Sequence, residues 1–155
     1  MSSASIHASA VLVGARAVLI RGPSGAGKSR LALELIEAGR TGTLRFARLV
    51  GDDRVYLQAA GGRLVVRPAE TLAGLIEVRG IGLLQLPFEP CAVVGLVVDL
   101  ADSVERLPQP EDRRTEIEGI RLPRLAVAAG EAALPSVVAL LTSWSGAFAP
   151  TERSF

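Results

Sequence analysis

Residues 22–29 read Gly-Pro-Ser-Gly-Ala-Gly-Lys-Ser, the spacing of a loop that wraps phosphate groups. Glycines at 22, 25 and 27 let the backbone turn tightly, so that successive N–H groups point inward at phosphate oxygens. Pro23, Ser24 and Ala26 fill the positions between them. Lys28 adds a slim ammonium that reaches the outer phosphates, and Ser29 offers a hydroxyl to Mg2+. Lys28 is also the only lysine among seventeen basic residues. A compact ammonium fits such a loop where a planar guanidinium has a different donor geometry, although arginine-rich usage alone also makes lysine scarce. At an average glycine content of about 7 %, fewer than roughly one chain in a hundred of this length carries the pattern by chance.

Binding phosphate is not yet transferring it. Phosphoryl transfer also needs a carboxylate for the metal, a group that handles the nucleophile, and positive charge near the transferred phosphate. Two acidic sites compete for these roles. Asp99 follows the apolar run Val93–Val98, the generic arrangement of a second motif in phosphate-loop proteins. Asp52-Asp53 follows the run Leu44–Val50. Neighbouring carboxylates compete for one proton, so such a pair can leave one acid free to accept a hydroxyl proton. Each site has a plainer reading, a strand end meeting solvent at Asp99 and a loop tripeptide at Gly51-Asp52-Asp53.

The elements that must position these residues follow from hydrophobic period and turn chemistry. Val11–Val13 and Ala17–Ile20 are short β-type runs joined by Gly14-Ala15-Arg16, a hairpin whose second arm leads into the glycine loop. After Lys28 the period becomes helical, with Leu31, Leu35 and Ala38 on one stripe and Gly39 as the expected stop. Leu44–Val50 is a strand; Val55–Leu57 and Leu64–Val66 flank a turn at 59–62; Val93–Val98 is a buried strand. Residues 101–124 are charged and proline-punctuated, which predicts a long surface excursion. Leu134-Pro135-Ser136 opens a final helix through Leu141.

Bulk composition narrows the function classes. A chain of 155 residues suits one domain, with a core over about 6–141 and a tail over 142–155. A net charge of +1 and six aromatic residues argue against a nucleic-acid surface. No apolar run approaches the roughly 18 residues of a membrane span, and no basic residues precede the first apolar stretch as in a signal peptide. The cytoplasm is the expected compartment. Lone Cys91 excludes an internal disulfide and, among apolar neighbours, is expected to pack in the core.

Taken together, His7, the glycine loop beginning fifteen positions later, Asp52-Asp53 and Leu75-Ile76-Glu77-Val78-Arg79-Gly80-Ile81-Gly82 resemble the catalytic domain of the HPr kinase/phosphorylase family. The resemblance implies an α/β phosphate-loop fold of the HPr kinase and phosphoenolpyruvate carboxykinase type. It implies a cytoplasmic kinase that passes the γ-phosphate of ATP to a serine of the phosphocarrier protein HPr, with Mg2+. In that reading Gly22–Ser29 hold the ATP phosphates, Lys28 lies on the transferred group, and Ser29 and Glu77 are magnesium ligands. Asp53 or its neighbour Asp52 is the general base, with Asp53 favoured. His7 lies near the phosphates, and Arg106 helps neutralise the transition state. A homo-hexamer is the family's assembly.

Departures from the family pattern carry expectations of their own. Where bifunctional members have a Pro-Val-x-Pro-Gly-Arg loop for phosphorolysis, this chain has Ala126-Val127-Ala128-Ala129-Gly130-Glu131, without either proline or the basic end. Weak or absent phosphorylase activity is the expectation. Arg30 stands where many members have Glu. Only six residues precede His7, which resembles the family's short form without the N-terminal domain, known mostly from proteobacteria. Two other classes remain open on sequence: a small-molecule kinase or NTPase using Asp99, and a non-catalytic module in which ATP orders residues 101–124 for a partner.

Overall fold

Short β-branched runs become strands and one amphipathic run becomes the main helix in the computed structural model, which describes residues 4–102 and 109–143. The chain opens with β1 (Ala4–Ile6), β2 (Ala8–Val13) and β3 (Arg16–Arg21), passes through the glycine loop, and enters α1 (Lys28–Arg40). β4 (Ala47–Gly51), β5 (Val55–Ala60) and β6 (Arg63–Pro68) follow, then the small hairpin of β7 (Leu75–Val78) and β8 (Gly82–Gln85). β9 (Ala92–Ala101) is the longest strand; β10 (Arg114–Ile117), β11 (Ile120–Ala128) and α2 (Leu134–Ser143) complete the described chain.

β9 organises the main sheet, whose order is β1-β5-β6-β9-β3-β2-β4. It runs parallel to β3 from Val94 to Asp99 and parallel to β11 from Val97 to Ala101, and meets β6 antiparallel at Ala92–Val93. Because side chains alternate along a strand, the sheet has two apolar faces. Val18, Ile20, Leu96, Val98 and Leu100 pack with Leu31 and Leu35 of α1 and Val137 and Leu141 of α2. Ala17, Leu19 and Val97 pack on the other side with Val55, Leu57, Leu64 and Val66, so the sheet curls over this second core.

Four sequence expectations are corrected. α1 does not stop at Gly39 but runs to Arg40. Gly39 is where the helix touches β4: an added Cβ would lie 2.7 Å from the Ala47 backbone nitrogen, too near for any side chain. β4 begins at Ala47 rather than Leu44, because the Leu44 amide is drawn back to the Ala38 carbonyl at the end of α1. Cys91 is exposed, since it lies in the connection before β9 rather than within the buried strand. The 101–124 excursion contains a 3-10 turn (Pro110–Arg113), β10 and the start of β11. Its charges mask the apolar residues Ile117, Ile120 and Leu122, which pack on the curled face. Residues 103–108 and 144–155 lie outside the described residues, and with them Arg106 and nearly all of the expected tail.

Asp99 fastens that hairpin to the sheet. Arg21 makes a two-pronged contact with its carboxylate at 2.8 Å on each arm, and Arg124 Nε donates to Oδ2. Arg21 reaches on to Thr115 of β10, and Arg124 to the Asp112 carbonyl at 2.9 Å. Burial pushes the Asp99 carboxyl up, but hydrogen bonds and charge from Arg21 and Arg124 outweigh it and hold the group below its ordinary value. The folded value is thus lower than the unfolded one. The pairing therefore stabilises the fold above the ordinary carboxylate range near 3.8 and is lost as the pH falls through the folded value. Arg21 and Arg124 are 30% and 23% exposed, which screens the interaction. Asp99→Ala is expected to cost about 1–3 kcal/mol, less than a fully buried pair. Denaturant midpoints should show that gap at neutral pH and a narrowing gap in acid.

Candidate functional site

The site forms where β3 hands over to α1. Gly25 and Gly27 hold φ of 83° and 103°, left-handed values that a side chain would strain, and the loop closes with Ala26 N–H on the Pro23 carbonyl. Gly22 crosses so close to β9 that an added Cβ would lie 2.9 Å from the Leu100 carbonyl oxygen. Lys28 folds over the loop, its ammonium donating to the carbonyls of Gly22 at 2.8 Å and Pro23 at 3.1 Å. No acidic residue stands in the first turn of α1, so the positive end of the helix and Lys28 act together on an anion. Arg30 turns along the helix to Glu34 at 3.5 Å, an exposed pair of little weight.

Asp52 meets this helix end from the side. It is 3% exposed, and both of its oxygens are occupied. Ser29 Oγ lies 2.8 Å from Oδ1 and 2.9 Å from Oδ2. Ser9 Oγ, fully buried, donates to Oδ1 at 2.6 Å, and the Glu77 amide donates to Oδ2 at 3.4 Å. Three elements thus converge on one carboxylate: β2 through Ser9, α1 through Ser29, and β7 through the Glu77 backbone. Ser9 is the residue that sequence reasoning missed. Its signal was the alternation of β2, which puts it on the same face as Val11 and Val13, toward α1.

Asp53 is treated differently by the same turn. The Arg54 amide bonds back to the Asp52 carbonyl at 2.8 Å, closing a three-residue turn with Asp53 at its tip. Asp53 has a φ of 70° and is exposed. A non-glycine residue in such a tight turn is strained, and strain of this kind gathers at working sites. Glu77 also points outward, because its neighbour Ile76 is buried under α1 and alternation sends the next residue to solvent. His7 lies exposed in the bend between β1 and β2, with its Nε2 3.0 Å from Arg54 Nη2.

Asp99 takes no part in this cluster. It shares the curled face with Val97, whereas Val98 and Leu100 face α1, and both of its oxygens are held by arginines. Ala126–Ala128 are not a free loop either. They form the end of β11, paired with Asp99–Ala101 of β9, and only Ala129–Glu131 turn away.

The oxygen donors of Ser29 and Glu77 are of the kind that suits a hard cation such as Mg2+. Among the described residues no three His, Cys, Asp or Glu side chains group closely enough to cage a metal by themselves. A hydroxyl and a carboxylate fit the habit of Mg2+, which completes its shell with phosphate oxygens and water.

Strand, glycine loop and helix, with an acid seated on the helix's first hydroxyl, form an α/β domain with the arrangement of a phosphate-binding loop. Comparison with known proteins gives the family. Residues 1–137 match the family model described as HPr Serine kinase C-terminal domain, and the chain belongs to that family. The HPr kinase/phosphorylase of Streptococcus thermophilus is 34% identical over 135 residues, covering 79% of this chain and 41% of that protein. Its counterpart in Clostridium beijerinckii is 40% identical over 81 residues, 52% of this chain and 24% of that protein. The chain thus spans about two fifths or less of these relatives' length. A structure titled as the HPr(Ser) kinase/phosphatase from Coxiella burnetii superposes with a TM-score of 0.73 at 25% identity. That match covers 90% of this chain and 89% of the other.

Proposed function

We propose that this chain is an ATP-dependent protein-serine kinase whose acceptor is a serine of an HPr-type phosphocarrier protein. The observation that carries the proposal is the division of labour between adjacent acids. Asp52 has both oxygens engaged by donors and serves to hold Ser29, while Asp53 stands exposed beside it with room for a hydroxyl. Asp53 is therefore assigned the proton of the acceptor serine, and Asp52 the seating of the metal-side hydroxyl. Family membership supports the same substrates.

The glycine loop binds and orients the triphosphate through its N–H groups and the helix end. Lys28, released from the Gly22 and Pro23 carbonyls, carries its charge to the outer phosphate. Bound Mg2+ would neutralise charge on the phosphates, and Ser29 and Glu77 are the residues that would hold it, with Asp52 seating the Ser29 hydroxyl. The acceptor hydroxyl gives its proton to an Asp53 carboxylate oxygen as its own oxygen attacks the γ-phosphorus in line, and the bond from that phosphorus to the β,γ-bridging oxygen breaks to release ADP. His7 is assigned a place beside the phosphates. Arg106 is assigned a supporting charge by family likeness alone. A hexameric assembly and a cytoplasmic location belong to the same proposal; among the described residues no helix is long and apolar enough to cross a membrane.

Labelled ATP and purified HPr test this directly. Lys28→Ala and Asp53→Asn should each lower transfer by about 100-fold or more, with Asp53→Asn retaining most of the ATP affinity. Full activity in Asp53→Asn would overturn the base assignment.

The reverse reaction is expected to be weak. Ala126–Ala128 are tied into the sheet, and Glu131 brings negative charge where phosphorolysis needs a phosphate to approach. Incubating phospho-HPr with inorganic phosphate should release little pyrophosphate. Robust release would contradict the role given to residues 126–131.

A further inference from the structure

His7 is the only histidine in the chain, and one contact decides which of its ring nitrogens bears the proton. Arg54 Nη2 lies 3.0 Å from His7 Nε2, while Arg54 Nη1 donates to Ser5 Oγ at 2.7 Å. A guanidinium has donors and no acceptor. A hydrogen bond across this contact requires Nε2 to be the lone-pair nitrogen, which puts the proton of the neutral ring on Nδ1.

Strand pairing brings the two side chains together. Ser5 is opposite Tyr56 and Ile6 opposite Val55, so His7 and Arg54 flank the end of the β1–β5 ladder. Two residues beyond His7, Ser9 donates to Asp52. The turn that bears Asp53 is thus fastened to the 5–9 segment on both sides, by a buried bond at Asp52 and an exposed fork at Arg54. A φ of 70° at Asp53 needs such holding, since strained positions persist only where their surroundings over-determine them.

We propose that Arg54 is a positioning residue: it fixes His7 in the Nδ1–H form, presenting that N–H as a donor, and steadies the turn that carries Asp53. The inference rests on the kinase reading above for its purpose, because the acceptor offered to Nδ1–H is a phosphate oxygen of the bound nucleotide. The tautomer itself is independent of that reading. Arg54 touches neither phosphate nor acceptor in this scheme and acts through its neighbours.

A single histidine makes the test unambiguous. Long-range proton–nitrogen NMR of the 15N-labelled full chain, at a pH where the ring is neutral, should show a protonated Nδ1 and an unprotonated Nε2. Arg54→Met should shift the ring towards the Nε2–H form, and Arg54→Lys, which keeps a cationic donor, should recover much of the Nδ1–H signal. Adding Mg2+ with a non-hydrolysable ATP analogue should move the wild-type Nδ1 resonance. Transfer to HPr should lose on the order of tenfold in kcat in Arg54→Met with KM for ATP little changed, as for other residues that orient a histidine from behind. An Nε2–H ring in the wild type, or a tautomer indifferent to Arg54→Met, would sink the inference. An Arg54-dependent tautomer in a chain that phosphorylates no acceptor would leave the lock standing and overturn the kinase reading instead.

Discussion

A single carboxylate, Asp52, organises the site. A buried charged or polar group is costly unless it is hydrogen-bonded, and Asp52 is satisfied only when β2, α1 and β7 all arrive together. That requirement seats Ser29 at the head of the helix and draws the Glu77 strand alongside. Next door it leaves Asp53 nowhere to go but outward, on a turn closed behind it. Rigid placement of reacting groups is the main service a phosphate-transferring protein provides, because the reaction asks for little covalent chemistry from the chain.

The second acid-terminated strand shows the opposite use of the same residue type. Asp99 ends the apolar core of β9 as Asp52 ends that of β4, yet strand alternation turns it to the curled face. There it ties Arg21, Arg124 and the β10–β11 hairpin together. Arg21 is the last residue before the glycine loop, so this clamp braces the root of the loop from behind. One acid meets the head of α1 and the other ties the scaffold, and which is which depends on the face each strand presents.

Much of this was legible in the residues. The glycine loop and its flanking strand and helix follow from a local pattern whose backbone demands only glycine meets, and the distinctive Leu75–Gly82 stretch marked the family. What was hidden depended on long-range pairing. The β10–β11 hairpin was obscured because its apolar residues, Ile117, Ile120 and Leu122, are interleaved with charges and a proline. Gly39 mimicked a helix stop while answering to a close approach of β4. Nothing local distinguishes Asp52 from Asp53. Their separation into a buried holder and an exposed tip needs Ser9, forty-three residues earlier, to arrive across the sheet. The link from Arg54 to His7 is equally remote in sequence.

Calorimetric titration with a non-hydrolysable ATP analogue, with and without Mg2+, is the sharpest test of that separation. If Asp52 seats the metal-side hydroxyl, Asp52→Asn should lose the affinity that Mg2+ adds, whereas Asp53→Asn should keep it. Equal losses in both variants, or a loss confined to Asp53→Asn, would contradict the division between the two acids.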